Sequence, residues 1–331
     1  MRILVTGGAG YVGSHVVWDL VAAGHEPVVI DNLSRGHAQA VPSGVSLLQI
    51  DLADKEALSD VFERFRPQAV MHFAGSSLVG ESMKHPELYF RNNLSNGLQL
   101  LACMVEHKVD KMVFSSSAAV YGEPEEVPIT EEHPKAPTSP YGESKLFFES
   151  MLRRFDYAYG LRSVSLRYFN AAGAHPSGRI GEDHTPETHL IPIILQTALG
   201  KREELSIFGT DYPTEDGTCI RDYVHVCDLS SAHILALQFL DDGGRSEVFN
   251  LGNGQGFSVQ QILSVAEKVV GKPIPTRRAE RRPGDPAVLV ASAQKAIDVL
   301  GWRPSFTDID RIVESAWNWH KNHPDGYGPR Q

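Results

Sequence analysis

The stretch Val5–Gly13, VTGGAGYVG, decides how the chain is read. Before it runs an apolar, β-branched segment, RILVTG; behind it SHVVWDLVAAG has helical periodicity. The glycines therefore fall at a strand–turn–helix junction. Gly7, Gly10 and Gly13 are spaced GxxGxxG, and Gly8, Gly10 and Gly13 also satisfy GxGxxG. Glycines at these places permit a tight turn and let backbone N–H groups, those of Tyr11 and Val12 among them, approach a pyrophosphate at a helix N-terminus. The next strand, PVVIDN, ends in Asp31 followed by Asn32. A carboxylate there accepts the ribose hydroxyls and repels a 2′-phosphate, so NAD is expected over NADP. Arg35, close by, is the residue that opposes this expectation.

Outward from that turn, short strands and helices alternate. VSLLQID, AVMHFAG, KMVFSSS and RSVSLRYFN read as strands. KEALSDVFERF, PELYFRNNLSNGLQLLACMVEH and SKLFFESMLRRFDYAYG read as helices. Such alternation builds βαβ units, and the expected fold is α/β: a Rossmann-type doubly wound parallel sheet over residues 1–170. From 171 the pattern changes. AAGAHPSGRIGEDHTPETHLIP is rich in Gly, Pro and His and reads as a long ordered loop over a site. Short strands (LSIFG, YVHV, EVFNLGN, AVLVAS) and three helices follow, with Ser258 and Gln261 forming a capping box. Residues 171–331 are expected to form a smaller α/β substrate domain, with the strand near 247–252 returning to the first sheet.

The 331 residues suffice for two domains. The formal charge of -10 argues against nucleic acid as partner. No apolar run is long enough for a bilayer, and the start, MRILVTGG, enters a strand without the features of a signal peptide. Cys103, Cys219 and Cys227 form no CxxC pair, as expected of a reduced, cytoplasmic protein.

Strand FSSS ends in Ser115, Ser116 and Ser117, and ligands of open parallel sheets bind beyond such carboxyl ends. All three hydroxyls are expected to face the crevice of the glycine turn. One loop later SPYGESKLFFES carries Tyr141 and Lys145 four residues apart, on one face of a helix. A tyrosine with its ordinary pKa of ~10 is a poor base at neutral pH. A nearby Lys⁺ and a cationic nicotinamide would both favour the phenolate, making Tyr141 a general base for a carbinol.

VTGGAGYVGSH, HFAG with VGES, SSSAAVYG, SPYGESK, LRYFN, GAHPSG, IFGTDYPTEDGTCIRDYVHV and RRPGD together carry a resemblance over nearly the whole chain. It resembles the extended short-chain dehydrogenase/reductases, and within them the nucleotide-sugar 4-epimerases. The resemblance implies NAD-dependent inversion at C4 of a UDP-hexose, interconverting UDP-glucose and UDP-galactose, with tightly held NAD. It implies that Gly7, Gly10, Tyr11, Val12 and Gly13 hold the pyrophosphate. Asp31 and Asn32 would hold the ribose, and Asp51 with Leu52 would meet the adenine. Phe73, Ala74, Gly75, Asn92 and Ser115 would line the cofactor. Lys145 would bind the nicotinamide ribose and activate Tyr141, Ser117 would share the bond to the sugar 4-oxygen, and Tyr168 would close over the nicotinamide. Asn170, His189, Leu190, Phe208, Arg221, Arg282 and Asp285 would form the nucleotide-sugar site. Arg221 and Arg282 suit a diphosphate by charge and geometry. Leu289, or its neighbour Val288, would wall the sugar 2-substituent. A homodimer through helices near Glu87–Glu106 and Glu143–Tyr159 is implied as well.

This chain departs from its relatives at two positions. Ser77 stands where many carry lysine, and His189 where others carry asparagine. The closest alternative is a nucleotide-sugar 4,6-dehydratase or decarboxylase of the same superfamily; dehydratases of similar sequence place an Asp-Glu pair after the strand-end Ser or Thr, and Ala118 and Ala119 leave no such acid for elimination. A non-catalytic NAD-sensing regulator is a further alternative, but such proteins tend to lose the Tyr–Lys pair that this chain keeps. GEDHTPETH gathers Glu182, Asp183, His184, Glu187 and His189 in a loop without the i, i+4 histidine pairing of a helical zinc site, and no metal is expected. TRRAERRPG is short, lacks interleaved aromatics and lies in an acidic chain, so it reads as diphosphate binding plus a solvated face. Trp302, Trp317 and Trp319 read as packing residues.

Overall fold

The computed structural model describes residues 1–282 and 285–328. Its strands are β1 (Arg2–Thr6), β2 (Glu26–Asp31), β3 (Ser46–Gln49), β4 (Ala69–His72), β5 (Lys111–Ser117), β6 (Arg162–Tyr168), β7 (Asn170–Ala172), β8 (Leu205–Phe208), β9 (Ile220–His225), β10 (Glu247–Leu251), β11 (Gly256–Ser258), β12 (Thr276–Ala279) and β13 (Val288–Leu289). The helices are α1 (Tyr11–Ala22), α2 (Lys55–Phe65), the single turns α3 (Val79–Ser82) and α4 (Pro86–Tyr89), α5 (Asn96–Glu106), α6 (Pro140–Tyr159), α7 (Leu190–Ala198), α8 (Val226–Asp241), α9 (Val259–Val270), α10 (Gln294–Leu300) and α11 (Ile309–Asn322).

A seven-stranded sheet in the order β10-β6-β5-β4-β1-β2-β3 organises the molecule. Every pairing in it is parallel. The order reverses between β1 and β4, which opens a crevice at their carboxyl ends. The central strands are apolar on both faces because helices cover both. One face buries Val16, Val17 and Leu20 of α1 with Leu229, Ala236 and Leu240 of α8. The other buries Leu58 and Phe62 of α2 with Leu100 and Met104 of α5 and Phe148 and Leu152 of α6. A separate cluster, from Ile191 and Ile194 of α7 through Ile262 of α9 to Ile312 and Val313 of α11, forms the core of the second half.

β10 does pair with β6, so residues 247–251 extend the first sheet. RSVSLRYFN, read as one strand, breaks at Phe169: β6 stays in the first sheet, while β7 pairs with β9 in a second one. The long helix read at 86–107 contains a π-helical segment, Phe90–Ser95, between α4 and α5. Within this wider turn, often found at functional sites, Asn93 is buried. Five helices, not three, are described after residue 171. The capping box is present: Gln261 N–H donates to Ser258 Oγ at 3.0 Å, and Ser258 N–H donates to the Gln261 carboxamide oxygen at 2.8 Å. No helix among the described residues is long and apolar enough to cross a membrane.

Candidate active site

At the reversal point Gly7 has φ +71, and a β-carbon on it would come within 2.5 Å of the Ala74 backbone nitrogen. Only glycine lets the loops after β1 and β4 touch; Phe73 and Ala74 N–H both donate to Thr6 O, at 2.9 and 3.0 Å. A β-carbon on Gly13 would collide with Gly7 O at 2.3 Å, so α1 can pack against the turn only through glycine. α1 begins after Gly10 with no side-chain cap. Its first-turn N–H groups and the positive end of its dipole are those that suit a phosphate.

Asp31 is 8% exposed; Ala9 N–H donates to its Oδ2 at 3.0 Å and Leu33 N–H to its Oδ1 at 2.9 Å. Burial pushes its carboxyl up, and those two N–H bonds oppose the shift. Arg35 is engaged elsewhere: Nη1 donates to Thr185 O at 2.8 Å, and Nη2 lies 3.6 Å from Glu81 Oε1. Asn32 donates to Asp51 Oδ2 at 2.7 Å, joining the two strand ends expected to meet adenosine, and Gln99 donates to Leu52 O. The uncapped helix start, the glycine-dependent turn and the oriented strand-end carboxylate fit a dinucleotide.

Period-two alternation divides the three serines. Ser115 Oγ hydrogen-bonds Tyr168 OH, and Ser117 Oγ accepts from Ala119 N–H at 3.1 Å, both on the crevice side. Ser116 points to the opposite face, contrary to the sequence expectation, and donates to Glu149 Oε1 at 2.6 Å.

α6 starts on Ser139, whose Oγ accepts Gly142 N–H, with Pro140 in its first turn. That start puts Tyr141, Lys145 and Glu149 on one face at successive i+4 steps. Lys145 is 6% exposed. Its Nζ donates to Ser115 O at 2.8 Å and lies 4.9 Å from the centre of the Phe114 ring and 5.9 Å from that of Tyr141. Burial lowers its pKa to about 8, against the charge of Glu149. Burial raises the Tyr141 phenol, opposed by a hydrogen bond with Ser117. The depressed phenol expected from the lysine is therefore not a property of the protein alone, because Lys145 approaches the ring while desolvation acts on the hydroxyl.

Sequence reasoning missed the scaffold behind these groups. Asn93 accepts Ser76 N–H at 2.8 Å and donates to Ser144 Oγ at 2.9 Å, holding the β4 loop against α6; Asn92 donates to Ser76 Oγ at 3.0 Å. Gly75 abuts Asn93 on the way to Lys145. Arg167 and Glu149, 4% and 6% exposed at their side chains, form a two-pronged ion pair, and Arg167 also donates to Tyr121 OH, which donates to Asn250. The Tyr-x3-Lys-x3-Glu spacing in α6 was the available signal for Glu149.

In the second half, Arg221 is paired with Asp285, while its Nη1 donates to Ile220 O at 2.7 Å. Arg282 is exposed, with its guanidinium 4.1 Å from the Phe208 ring centre. These four expected residues thus come together. Asn170 lies in β7 opposite Tyr223, and Leu190 opens α7 immediately after His189. Leu289 sits beside Arg221 in the β13–β9 ladder and packs on Val120, Tyr121 and Ile129, a turn beyond Ser117. The loop 173–189 reaches the glycine turn: Tyr11 OH donates to Gly173 O at 2.6 Å, and the His184 ring meets Tyr11 edge-on. Within that loop Glu182, His184, Glu187 and His189 converge without any helix.

These features define a nicotinamide-dependent enzyme with a tyrosine–lysine centre on a doubly wound sheet. The chain belongs to the NAD dependent epimerase/dehydratase family, whose profile matches residues 3–252. It is 55% identical to the UDP-glucose 4-epimerase of Lacticaseibacillus casei over 330 residues, covering 100% of both chains. A crystal structure of a UDP-glucose 4-epimerase matches it with a TM-score of 0.98 at 53% identity, over 99% of this chain and 100% of that one. The UDP-glucose 4-epimerase from Brucella ovis in complex with NAD matches with a TM-score of 0.93 at 43% identity, over 96% and 97%.

Proposed function

We propose that this protein interconverts UDP-glucose and UDP-galactose by oxidising the hexose at C4 and reducing it from the opposite face. The observation that carries this reading is the half-buried Tyr141 paired with buried Lys145 beside Ser117, across the crevice from an NAD-type turn. When bound, NAD supplies the reversible hydride acceptor. Tyr141, beside Ser117, takes the proton from the sugar 4-hydroxyl and later returns it. Ser117 keeps the reacting oxygen aligned. Lys145, anchored on Ser115 O, places a positive charge against the Tyr141 ring and so favours the phenolate. Arg221, Arg282 and Asp285, with Phe208, Asn170, His189 and Leu190, hold the UDP end while the 4-keto sugar turns over. Gly7, Gly10, Tyr11, Val12 and Gly13 receive the pyrophosphate, Asp31 and Asn32 the ribose, and Asp51 and Leu52 the adenine. Phe73, Ala74, Gly75, Asn92, Ser115 and Tyr168 line the nicotinamide half. The work divides between two lobes near residue 170, with α8, β10 and α10 assigned to the first. The last three residues, 329–331, lie outside the described structure.

Incubating purified protein with UDP-galactose and assaying UDP-glucose tests the activity; no conversion by a preparation that retains cofactor overturns it. Heating the same preparation releases its nucleotide for mass spectrometry. NAD or NADH is expected, because Asp31 repels a 2′-phosphate and Arg35 is committed to Thr185 and Glu81. A preparation carrying mainly NADP would contradict that assignment.

Leu289 sets the width of the sugar pocket. Leucine excludes a 2-acetamido group only in part, so UDP-N-acetylglucosamine should be turned over more slowly than the plain sugars. Leu289→Tyr is expected to lower the N-acetylated activity roughly tenfold or more while sparing UDP-glucose, the scale on which a pocket wall discriminates. Equal falls in both activities, or no change in either, would make Leu289 a packing residue only.

The cytoplasm is the proposed location, in keeping with free cysteines at 103, 219 and 227. A homodimer is proposed through α5 and α6, whose Leu98 and Phe147 are 47% and 51% exposed. Sedimentation of the holoenzyme at the mass of one chain would remove the dimer.

A further inference from the structure

The loop between Gly181 and α7 gathers four side chains: Glu182 and Glu187 are buried, His184 is half-buried, and His189 lies at the exposed side of the group. One ligating atom from each of Glu182, His184, Glu187 and His189 lies within 4.8 Å of all the others. His184 Nδ1 stands 3.2 Å from Glu182 Oε1 and 3.8 Å from Glu187 Oε2. His189 Nδ1 contacts the same Glu182 oxygen and lies 3.7 Å from Glu187 Oε1. In a tetrahedron with metal–ligand bonds of about 2.0–2.1 Å, the ligands are about 3.3–3.4 Å apart; the His184–Glu182 separation is close to this, the two to Glu187 are longer and the His189–Glu182 contact is shorter.

A second observation points to a cation as the ligand of this cluster. Glu182 and Glu187 are 3% and 7% exposed. Glu187 Oε1 accepts N–H groups of Thr188 and His189, but its Oε2 is buried with no hydrogen-bond partner. That oxygen faces His184 inside the cluster. Buried carboxylate oxygens are ordinarily satisfied, and an orphan beside two imidazole nitrogens suits a metal ligand. All-oxygen sites favour magnesium or calcium, and thiolates favour copper(I); paired imidazole and carboxylate donors favour a borderline first-row ion. Four protein ligands with no open position describe a structural site rather than a catalytic one.

We propose that Glu182, His184, Glu187 and His189 hold one structural zinc ion. The sequence argued against a metal because the histidines lack helical i, i+4 pairing; the loop brings them together by turning instead. The ion would take only Nδ1 of His189, leaving Nε2 for the UDP end, and would stiffen a segment with many attachments. His37 Nε2 donates to Asp183 O at 3.0 Å, Arg35 to Thr185 O, and Trp319 Nε1 to Glu182 O at 3.2 Å. Zinc there would brace the loop against both the glycine turn and α11, away from Tyr141.

Untagged holoenzyme, dialysed against chelator and titrated with ZnCl2 alone, tests this by calorimetry and by metal analysis after gel filtration. One zinc per chain is expected. His184→Ala and the isosteric Glu187→Gln should each weaken binding about 100-fold or more, since even outer-shell changes cost tenfold to a hundredfold. Cobalt(II) loaded into the wild-type protein should give the strong visible bands of a tetrahedral nitrogen–oxygen site, without the thiolate charge-transfer band that Cys103, Cys219 or Cys227 would produce. This reading does not depend on the variants folding. Absence of stoichiometric zinc, equal binding by wild type and folded variants, or an octahedral or thiolate cobalt spectrum would overturn the proposal.

Discussion

Tyr141→Phe is expected to lower kcat by roughly 10²–10⁴-fold, the usual contribution of a positioned acid–base group, while leaving NAD bound. The phenyl ring keeps its packing against Tyr89 and Lys145, and only the proton-accepting oxygen is lost. KM should change little, because the proposed UDP contacts lie elsewhere. In the protein alone, burial holds the phenol proton on, so the phenolate must gain its stability when the cofactor's positive charge arrives. Ultraviolet difference titration should therefore find a lower phenol pKa with NAD⁺ than without it in wild type, and no such signal in the variant. A phenylalanine variant with near-normal turnover would sink the mechanism.

Glu149→Gln should cost about 3–5 kcal/mol of stability, the scale for removing one partner of a buried ion pair. Arg167 would keep its charge at 4% exposure facing a neutral carboxamide, with one acceptor oxygen in place of two, and Ser116 would lose a carboxylate acceptor. A melting temperature lower by on the order of 10 °C is expected by calorimetry. The double variant Glu149→Gln/Arg167→Met should recover much of the loss, since no uncompensated charge remains. Turnover should also fall in the single variant. Glu149 is the group that holds the Lys145 pKa up against burial, so losing it lowers the charge on Lys145 at neutral pH. Unchanged melting in the single variant would show that water or another group satisfies Arg167.

Hydrophobic periodicity carried the six strands before Asn170, and Gly7, Gly13 and Asp31 marked the crevice by their own chemistry. Tyr141 and Lys145 were legible because a helix converts a spacing of four into contact. Other features depended on partners distant in sequence. Arg167 in β6 reads as an alternating strand residue until α6 is laid across it. Asn93 turns inward only because a π-helical segment interrupts the periodicity expected of residues 86–107. Ser116 could have been assigned to the far face from strand alternation alone, yet its identity with its neighbours concealed the difference. The Glu182–His189 cluster lies where the chain has no repeat, so no spacing rule forecasts its geometry.

The pairing of β10 with β6 bears on how the chain is made. A ribosome releases β6 with its outer edge open, and the strand that closes it ends at Leu251. The roughly eighty residues between them take about 4–17 s to synthesise at ordinary elongation rates. Through that interval the nascent chain carries an unpaired strand edge, with Val164 and Leu166 set between polar residues, the kind of edge that recruits other chains. Slowing translation between codons 169 and 247 should therefore reduce soluble yield without altering the enzyme that does fold.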